Sequence, residues 1–213
     1  FARIYQSFKN FDECYDSNSI GSMAVFKFCL DYKIKLIYSA TSASLGNSGN
    51  DKNLSPYAFT KSKNLELLEN LKKWFKLNYE VIYFYNVYGP KQIETGPMAT
   101  VIGIFNNHFK NKKPLPVVRP GTQSRDFTHI ADVVDGLIKI AERDDNHEWH
   151  LRSGINVDIV TVAEMFGEWE LIPMRRGERF TSEEFPSDTE ERLGWQPTHK
   201  LEEWIKYVKK DGR

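Results

Sequence analysis

The stretch KLIYSATSASLG, residues 35–46, is a short apolar run that ends in small hydroxyl residues. It reads as a buried strand with a loop at its carboxyl end. Helical signals flank it. Upstream, Val25, Phe28, Cys29 and Tyr32 share one helical face, which predicts a helix over much of Phe11 to Tyr32. Downstream, GNSGNDKNLSP is a loop by composition. Leu67, Leu71, Trp74 and Phe75 then mark a helix that starts near Pro56. EVIYFYNVYGP, residues 80–90, reads as a second buried strand, stopped by Gly89 and Pro90. Met98, Ile102, Phe105 and Phe109 form a helical stripe, and KPLPVVRPG, with proline at its margins, reads as an edge strand. Ile130, Val133, Val134, Leu137, Ile138 and Ala141 outline the clearest amphipathic helix, and Leu201, Trp204, Ile205 and Val208 a last one. Strands that alternate with helices predict an α/β fold with a parallel sheet. Ligands of such folds bind beyond the carboxyl ends of the strands. SATSAS and NVYGP should therefore face one cleft.

The bulk properties narrow the function classes. The chain has 213 residues and a formal net charge of zero. Balanced charge gives no electrostatic reason to expect nucleic acid or an anionic membrane as partner. No apolar run is long enough to span a bilayer, and no signal-peptide pattern stands at the start. The two cysteines, Cys14 and Cys29, lack metal-ligand spacing and read as packing residues of a reducing, cytoplasmic environment. No metal site is expected.

SPYAFTK, residues 55–61, places Tyr57 and Lys61 four apart, on one helical face. A lysine ammonium beside a phenol favours the phenolate and lowers its pKa from about 10, so the tyrosine could exchange a proton near neutral pH. Alone, the pair equally fits the first turn of an ordinary amphipathic helix. The order of the surrounding segments adds to it: SATSASLG before the pair, then YFYNVYGP, GTQSRDFTHIADVVDG, MRRGE and RLGW after it. This series, from Asp16 to Trp195, resembles the extended short-chain dehydrogenase/reductases, in particular the NAD-dependent sugar-nucleotide epimerases and dehydratases of the UDP-glucose 4-epimerase kind.

The resemblance implies a fold, roles and partners. The fold would be a Rossmann-like doubly wound parallel sheet with a smaller carboxyl-terminal α/β substrate domain. Tyr57 would be the catalytic base. Lys61 would hold the nicotinamide ribose of NAD and tune Tyr57. Thr41 would bridge Tyr57 and a sugar hydroxyl, with Ser42 and Ser44 as alternatives in a hydroxyl-rich turn. Asn18, in NSIG, matches a supporting asparagine, although a plain polar helix residue fits equally. Ser39 and Phe84 would line the cofactor. Asn86 would contact the sugar nucleotide or simply form the turn before Gly89. Arg125 in SRDF would grip the diphosphate, as paired guanidinium donors suit phosphate oxygens. Arg175 and Glu178 in RRGE would meet phosphate and ribose, with Arg176 replacing Arg175 if the register shifts by one. The implied reaction is epimerisation of a nucleotide-diphosphate sugar through a transient 4-keto sugar. A homodimer would form through the helices at 11–32 and 57–77.

Two features depart from the pattern. Dehydratases of the family carry an acidic residue after the threonine, whereas Thr41 is followed here by Ser42 and Ala43. That favours an epimerase or simple oxidoreductase over a 4,6-dehydratase. The family also opens with a strand and a glycine-rich G-x-x-G-x-x-G turn that holds the dinucleotide pyrophosphate. No such segment is found, so the expectation is a partly recorded chain: residues 1–90 as the second half of the NAD-binding domain, and 91–213 as mainly the substrate domain with segments returning to the sheet. The remaining alternatives are another nucleotide-sugar oxidoreductase or a 4,6-dehydratase, and a non-catalytic NAD(P)-binding member of the fold.

Overall fold

The computed structural model describes residues 1–45, 50–180 and 186–211. The loop read at 46–56 therefore lies partly outside the described residues. The chain opens with α1 (Ile4–Ser7) and α2 (Phe11–Tyr15). A π-helical turn (Asp16–Gly21) leads into α3 (Ser22–Tyr32). The helix expected at 11–32 is thus present, with one wider turn in its middle. Next come β1 (Leu36–Thr41), α4 (Pro56–Phe75) and β2 (Tyr79–Phe84). Ser55 accepts the Ala58 N–H and Pro56 occupies the first helical turn, which is why α4 starts where it does.

The stretch 80–90 is two strands rather than one. β2 pairs in parallel with β1, Leu36 opposite Tyr79 through Thr41 opposite Phe84. After Tyr85, β3 (Asn86–Tyr88) leaves that sheet. The chain continues through α5 (Val101–Lys110), β4 (Leu115–Val118), β5 (Ser124–His129), α6 (Ile130–Ala141) and β6 (Glu148–Leu151). It closes with β7 (Asn156–Asp158), α7 (Ile159–Phe166), β8 (Trp169–Ile172), α8 (Thr189–Leu193) and α9 (Leu201–Asp211). β6 returns to pair in parallel with β2, giving the order β1-β2-β6. β3 pairs in parallel with β5, and β5 is antiparallel to β7. Among the described residues β4 pairs only with β8, an edge position that suits Pro116.

The β1-β2-β6 sheet is covered on both faces, as a parallel sheet must be. Tyr38, Ala40, Val81 and Tyr83 pack with Phe26, Leu68 and Leu71 of α3 and α4. On the other face Ile37, Ile82 and Phe84 pack with Val133 and Ile140 of α6, Trp149 and Trp195. A third core joins α5, α7, α9, β4 and β5 around Phe105 and Phe166. Each large apolar side chain fully buried here contributes about 1.5–3 kcal/mol. Glu80 is the exception in this interior. Its wholly buried carboxylate accepts the backbone N–H groups of Asp145, Asn146 and His147 and the Trp149 indole N–H, at 2.7–3.0 Å. It ties β2 to the turn that feeds β6. Cys14 and Cys29 are free and buried, as packing residues would be.

Two apolar stripes face outward. Val25, Phe28 and Tyr32 of α3, and Trp74 and Phe75 of α4, are exposed, whereas Phe26, Cys29, Leu68 and Leu71 carry the inward faces. Among the described residues, no helix is long and apolar enough to cross a membrane.

Candidate active site

Beyond the carboxyl ends of β1 and β2 lies a cavity of about 540 Å³. Of the ten residues singled out from the sequence, nine line it: Ser39, Thr41, Tyr57, Lys61, Phe84, Asn86, Arg125, Arg175 and Glu178. β1 delivers Ser39 and Thr41, and β2 delivers Phe84. The first two turns of α4 deliver Tyr57 and Lys61.

The Thr41 side chain is near enough to the Tyr57 phenol to favour its ionised form. The Thr41 hydroxyl also accepts the Ala43 N–H at 3.1 Å, which fixes its rotamer at the strand end. Lys61 Nζ donates to the Ser39 carbonyl at 2.8 Å and stands 5.0 Å from the centre of the Tyr38 ring. Burial pushes the Lys61 ammonium below its usual range. Burial pushes the Tyr57 phenol up, opposed first by the Thr41 side chain and then by the charges of Arg3 and Arg179. The expected lowering by Lys61 is therefore reversed. Desolvation outweighs the nearby cations, and the cations acting on the phenol are the two arginines.

Asn18 does not reach the cavity. It sits buried in the π-helical turn, and its amide N–H donates to Thr60 Oγ1 at 3.2 Å. Thr60 in turn donates to the Tyr57 carbonyl at 3.1 Å. Asn64 donates to the Asn18 carbonyl at 2.6 Å and to the Tyr38 hydroxyl at 3.1 Å. The wider turn aims Asn18 inward, and Asn18 braces the backbone under Tyr57.

At the other end of the cavity, Arg125 on β5 donates to Glu178 at 3.0 Å and to the carbonyl of Arg179 at 2.8 Å. Burial, and then the charge of Arg179, push its guanidinium down to about 10. The Asn86 amide donates to the Asp126 carbonyl at 3.0 Å. Arg175 is at the exposed rim. Arg176 stacks on Phe8 at 4.3 Å and does not line the cavity, so of the two it is Arg175 that faces it. Gly177, with φ +77°, lets the segment turn there, where a Cβ would come within 2.9 Å of Phe8 and Ile4.

The sequence reading missed Arg3 and Arg179. Arg3 lines the cavity and donates to the Met98 carbonyl just ahead of α5. Arg179 is 6% exposed, and its Nε lies 3.5 Å from Asp51. The only cue for Arg179 was adjacency to Glu178, and Arg3 had none. Among the described residues, no group of three or more His, Cys, Asp or Glu could hold a metal ion. The residues at the strand ends do suit the nicotinamide end of a dinucleotide: a phenol and an ammonium converge there beside the small residues Ser39 and Ala40.

A parallel sheet clothed by helices on both faces thus carries a tyrosine, a threonine and a lysine beside one cavity at its strand ends. The profile of the NAD dependent epimerase/dehydratase family matches residues 2–152, and the chain belongs to that family. A UDP-glucuronate 4-epimerase of Thermodesulfobacterium geofontis is 33% identical over 133 residues, 58% of this chain and 40% of that protein. The chain spans 38% to 63% of the lengths of the first three curated relatives it matches. The crystal structure of a UDP-glucose 4-epimerase from Thermotoga maritima, with UDP-glucose, superposes with TM-score 0.90 at 24% identity, over 98% of this chain and 73% of that one. A UDP-glucuronic acid 4-epimerase from Bacillus cereus, in complex with UDP-glucuronic acid and NAD, gives TM-score 0.87 at 21% identity, over 99% and 72%. These two likenesses show the fold.

Proposed function

We propose that the chain carries the proton-transfer and substrate-binding half of an NAD-dependent epimerase of UDP sugars. One observation carries this: Tyr57, Thr41 and Lys61 share a single cavity with Arg125, Arg175 and Glu178. Proton-transfer groups and phosphate-binding groups thus line one cavity. NAD, bound at the β1 and β2 ends, would supply the acceptor and donor of hydride. Lys61 and Ser39 would position it, and Phe84 would form a wall of its site. Thr41 would hold the sugar hydroxyl against Tyr57, which as the phenolate would take its proton while the ring carbon becomes a ketone and return it after the sugar has turned over; the positive nicotinamide ring of bound NAD would favour that phenolate over the buried phenol of the protein alone. Arg125 and Arg175 would fix the diphosphate, Glu178 the ribose and Asn86 the sugar end.

The lining also bears on the reaction type. Among the described residues, Glu178 is the only carboxylate in the cavity, and it is bound to Arg125. Dehydration needs an acid near Thr41, where Ser42 and Ala43 stand, so epimerisation is the reading supported. The chain's division near residue 90 is part of the same proposal, with β6 as the segment returning to the first sheet. So is a homodimer through the outward stripes of α3 and α4.

The test is turnover of UDP-glucose, UDP-galactose and their uronate counterparts, with NAD, by the polypeptide and its Tyr57→Phe variant. Tyr57→Phe should lower kcat by about 10²–10⁴-fold with an unchanged circular dichroism spectrum. Equal turnover by both proteins would exclude Tyr57 as the proton carrier.

A further inference from the structure

Resting on the role proposed above for Tyr57, we propose that Arg3 is the fixed cation of the protein that stabilises its phenolate, a positioning residue for the proton transfer, and that Lys61 is left to hold the cofactor. The geometry begins in the backbone. α1 is seated on the first turn of α4. There the buried Ser7 hydroxyl accepts the Tyr57 N–H at 3.2 Å and donates to the Ile4 carbonyl at 2.7 Å. Arg3 stands one turn ahead of Ser7, whose N–H donates to the Arg3 carbonyl at 3.1 Å. Residues four apart share a side, so Arg3 and Ser7 both lie on the side of α1 set against Tyr57. Arg3 lines the cavity together with Tyr57. Its guanidinium is held there by the carbonyls of Met98, ahead of α5, and Ala2.

Three lining cations could serve the phenol, and their partners separate them. Lys61 Nζ is committed to the Ser39 carbonyl at 2.8 Å, and burial pushes it toward the neutral amine. Arg179 has its charge offset by Asp51, 3.5 Å away. Arg3 binds carbonyls alone, and among the described residues no carboxylate pairs with it. The charge that reaches Arg3 is that of Tyr57 itself. The other titratable groups near the phenol are Cys14 of α2 and Tyr38 of β1. Burial pushes both up, so at neutral pH neither adds a negative charge. A guanidinium keeps its proton wherever a phenol ionises. Arg3 is therefore a permanent, unneutralised charge beside Tyr57, in place before the proton moves.

The experiment is a tyrosinate absorbance titration of the NAD-free chain, wild type and Arg3→Gln, each minus the same protein carrying Tyr57→Phe. Arg3→Gln should raise the Tyr57 step by roughly 0.5–1 pH unit. The sign of the shift separates charge from support. Burial is what raises this phenol, so losing a mere strut at Met98 would admit water and lower the step. A lowered or unmoved step would overturn the inference and leave the epimerase reading standing. Ionic strength gives a second arm on the wild type alone. Arg3 is half-buried whereas Arg179 is buried, so salt screens Arg3 first and should raise the step. A step indifferent to salt would overturn the inference even if Arg3→Gln failed to fold. Turnover by Tyr57→Phe equal to that of the wild type would overturn the proton-carrier reading, and this inference with it.

Discussion

Burial keeps the Tyr57 phenol protonated at neutral pH in the protein as it stands. A phenol pushed up ionises only at alkaline pH, so the NAD-free wild type minus Tyr57→Phe should show a tyrosinate absorbance step above pH 10. A step near pH 7 would mean that the cations around Tyr57 outweigh its desolvation. His150 carries a second pH signature. Burial, and then the charge of Arg152, push it down to about 4, and its ring stacks on Tyr83 with centroids 4.7 Å apart. The unfolded chain, with an ordinary histidine near 6.5, binds more protons than the folded one between those values. Stability should therefore rise with pH from about 4 to about 6.5 and be lost on acidification, by up to roughly 3 kcal/mol. Urea unfolding at pH 7 and pH 5 measures it, and His150→Gln should flatten the slope. At this scale Thr41, Phe84, Tyr57 and Lys61 were legible because each sits at a strand end or at helical spacing, whereas Arg175 and Glu178, in the loop after β8, were legible only through the RRGE motif. Arg3 and Arg179 were not. A lone arginine in a sequence reads as surface, and only the fold buries it.

At the scale of elements, β2 and β6 are held together by one carboxylate as well as by their ladder. Glu80→Gln would turn an amide N–H toward donors that now meet an oxygen. It should destabilise the protein by about 2–4 kcal/mol in chemical denaturation, without changing the cavity residues. A loss below about 0.5 kcal/mol would show that the turn at 144–147 is held by other contacts. The long periodic helices α4, α6 and α9 were readable in advance, because repeated apolar spacing survives any tertiary context. The break at Tyr85 was not, since EVIYFYNVY is apolar throughout and nothing in it marks where one sheet yields to another. β7 and β8 were missed for a related reason. Three- and four-residue strands owe their existence to partners distant in the chain.

For the whole molecule, the outward stripes matter most. Periodicity found the helix at 11–32, yet it could not tell that Val25, Phe28 and Tyr32 face away from the core, because a buried face and an interface have the same composition. Like Trp74 and Phe75, they are exposed apolar side chains, which a second copy of the chain would cover in the proposed dimer. Sedimentation equilibrium should find a dimer, and Phe28→Glu with Trp74→Glu should yield a monomer that keeps its far-ultraviolet spectrum. A wild-type monomer at tens of micromolar would exclude the dimer. The sheet itself has a further consequence. Among the described residues, β1 has a hydrogen-bonded neighbour on one side only. On its other side, that of Ile37, Ser39 and Thr41, the Ser39 and Thr41 carbonyls accept from Lys61 and Ser44, but the backbone N–H groups meet no strand, a template for an extended chain. Solutions of these 213 residues alone should cloud as they are concentrated, and clear when an extended segment, fused or added in trans, is given that edge to lie along.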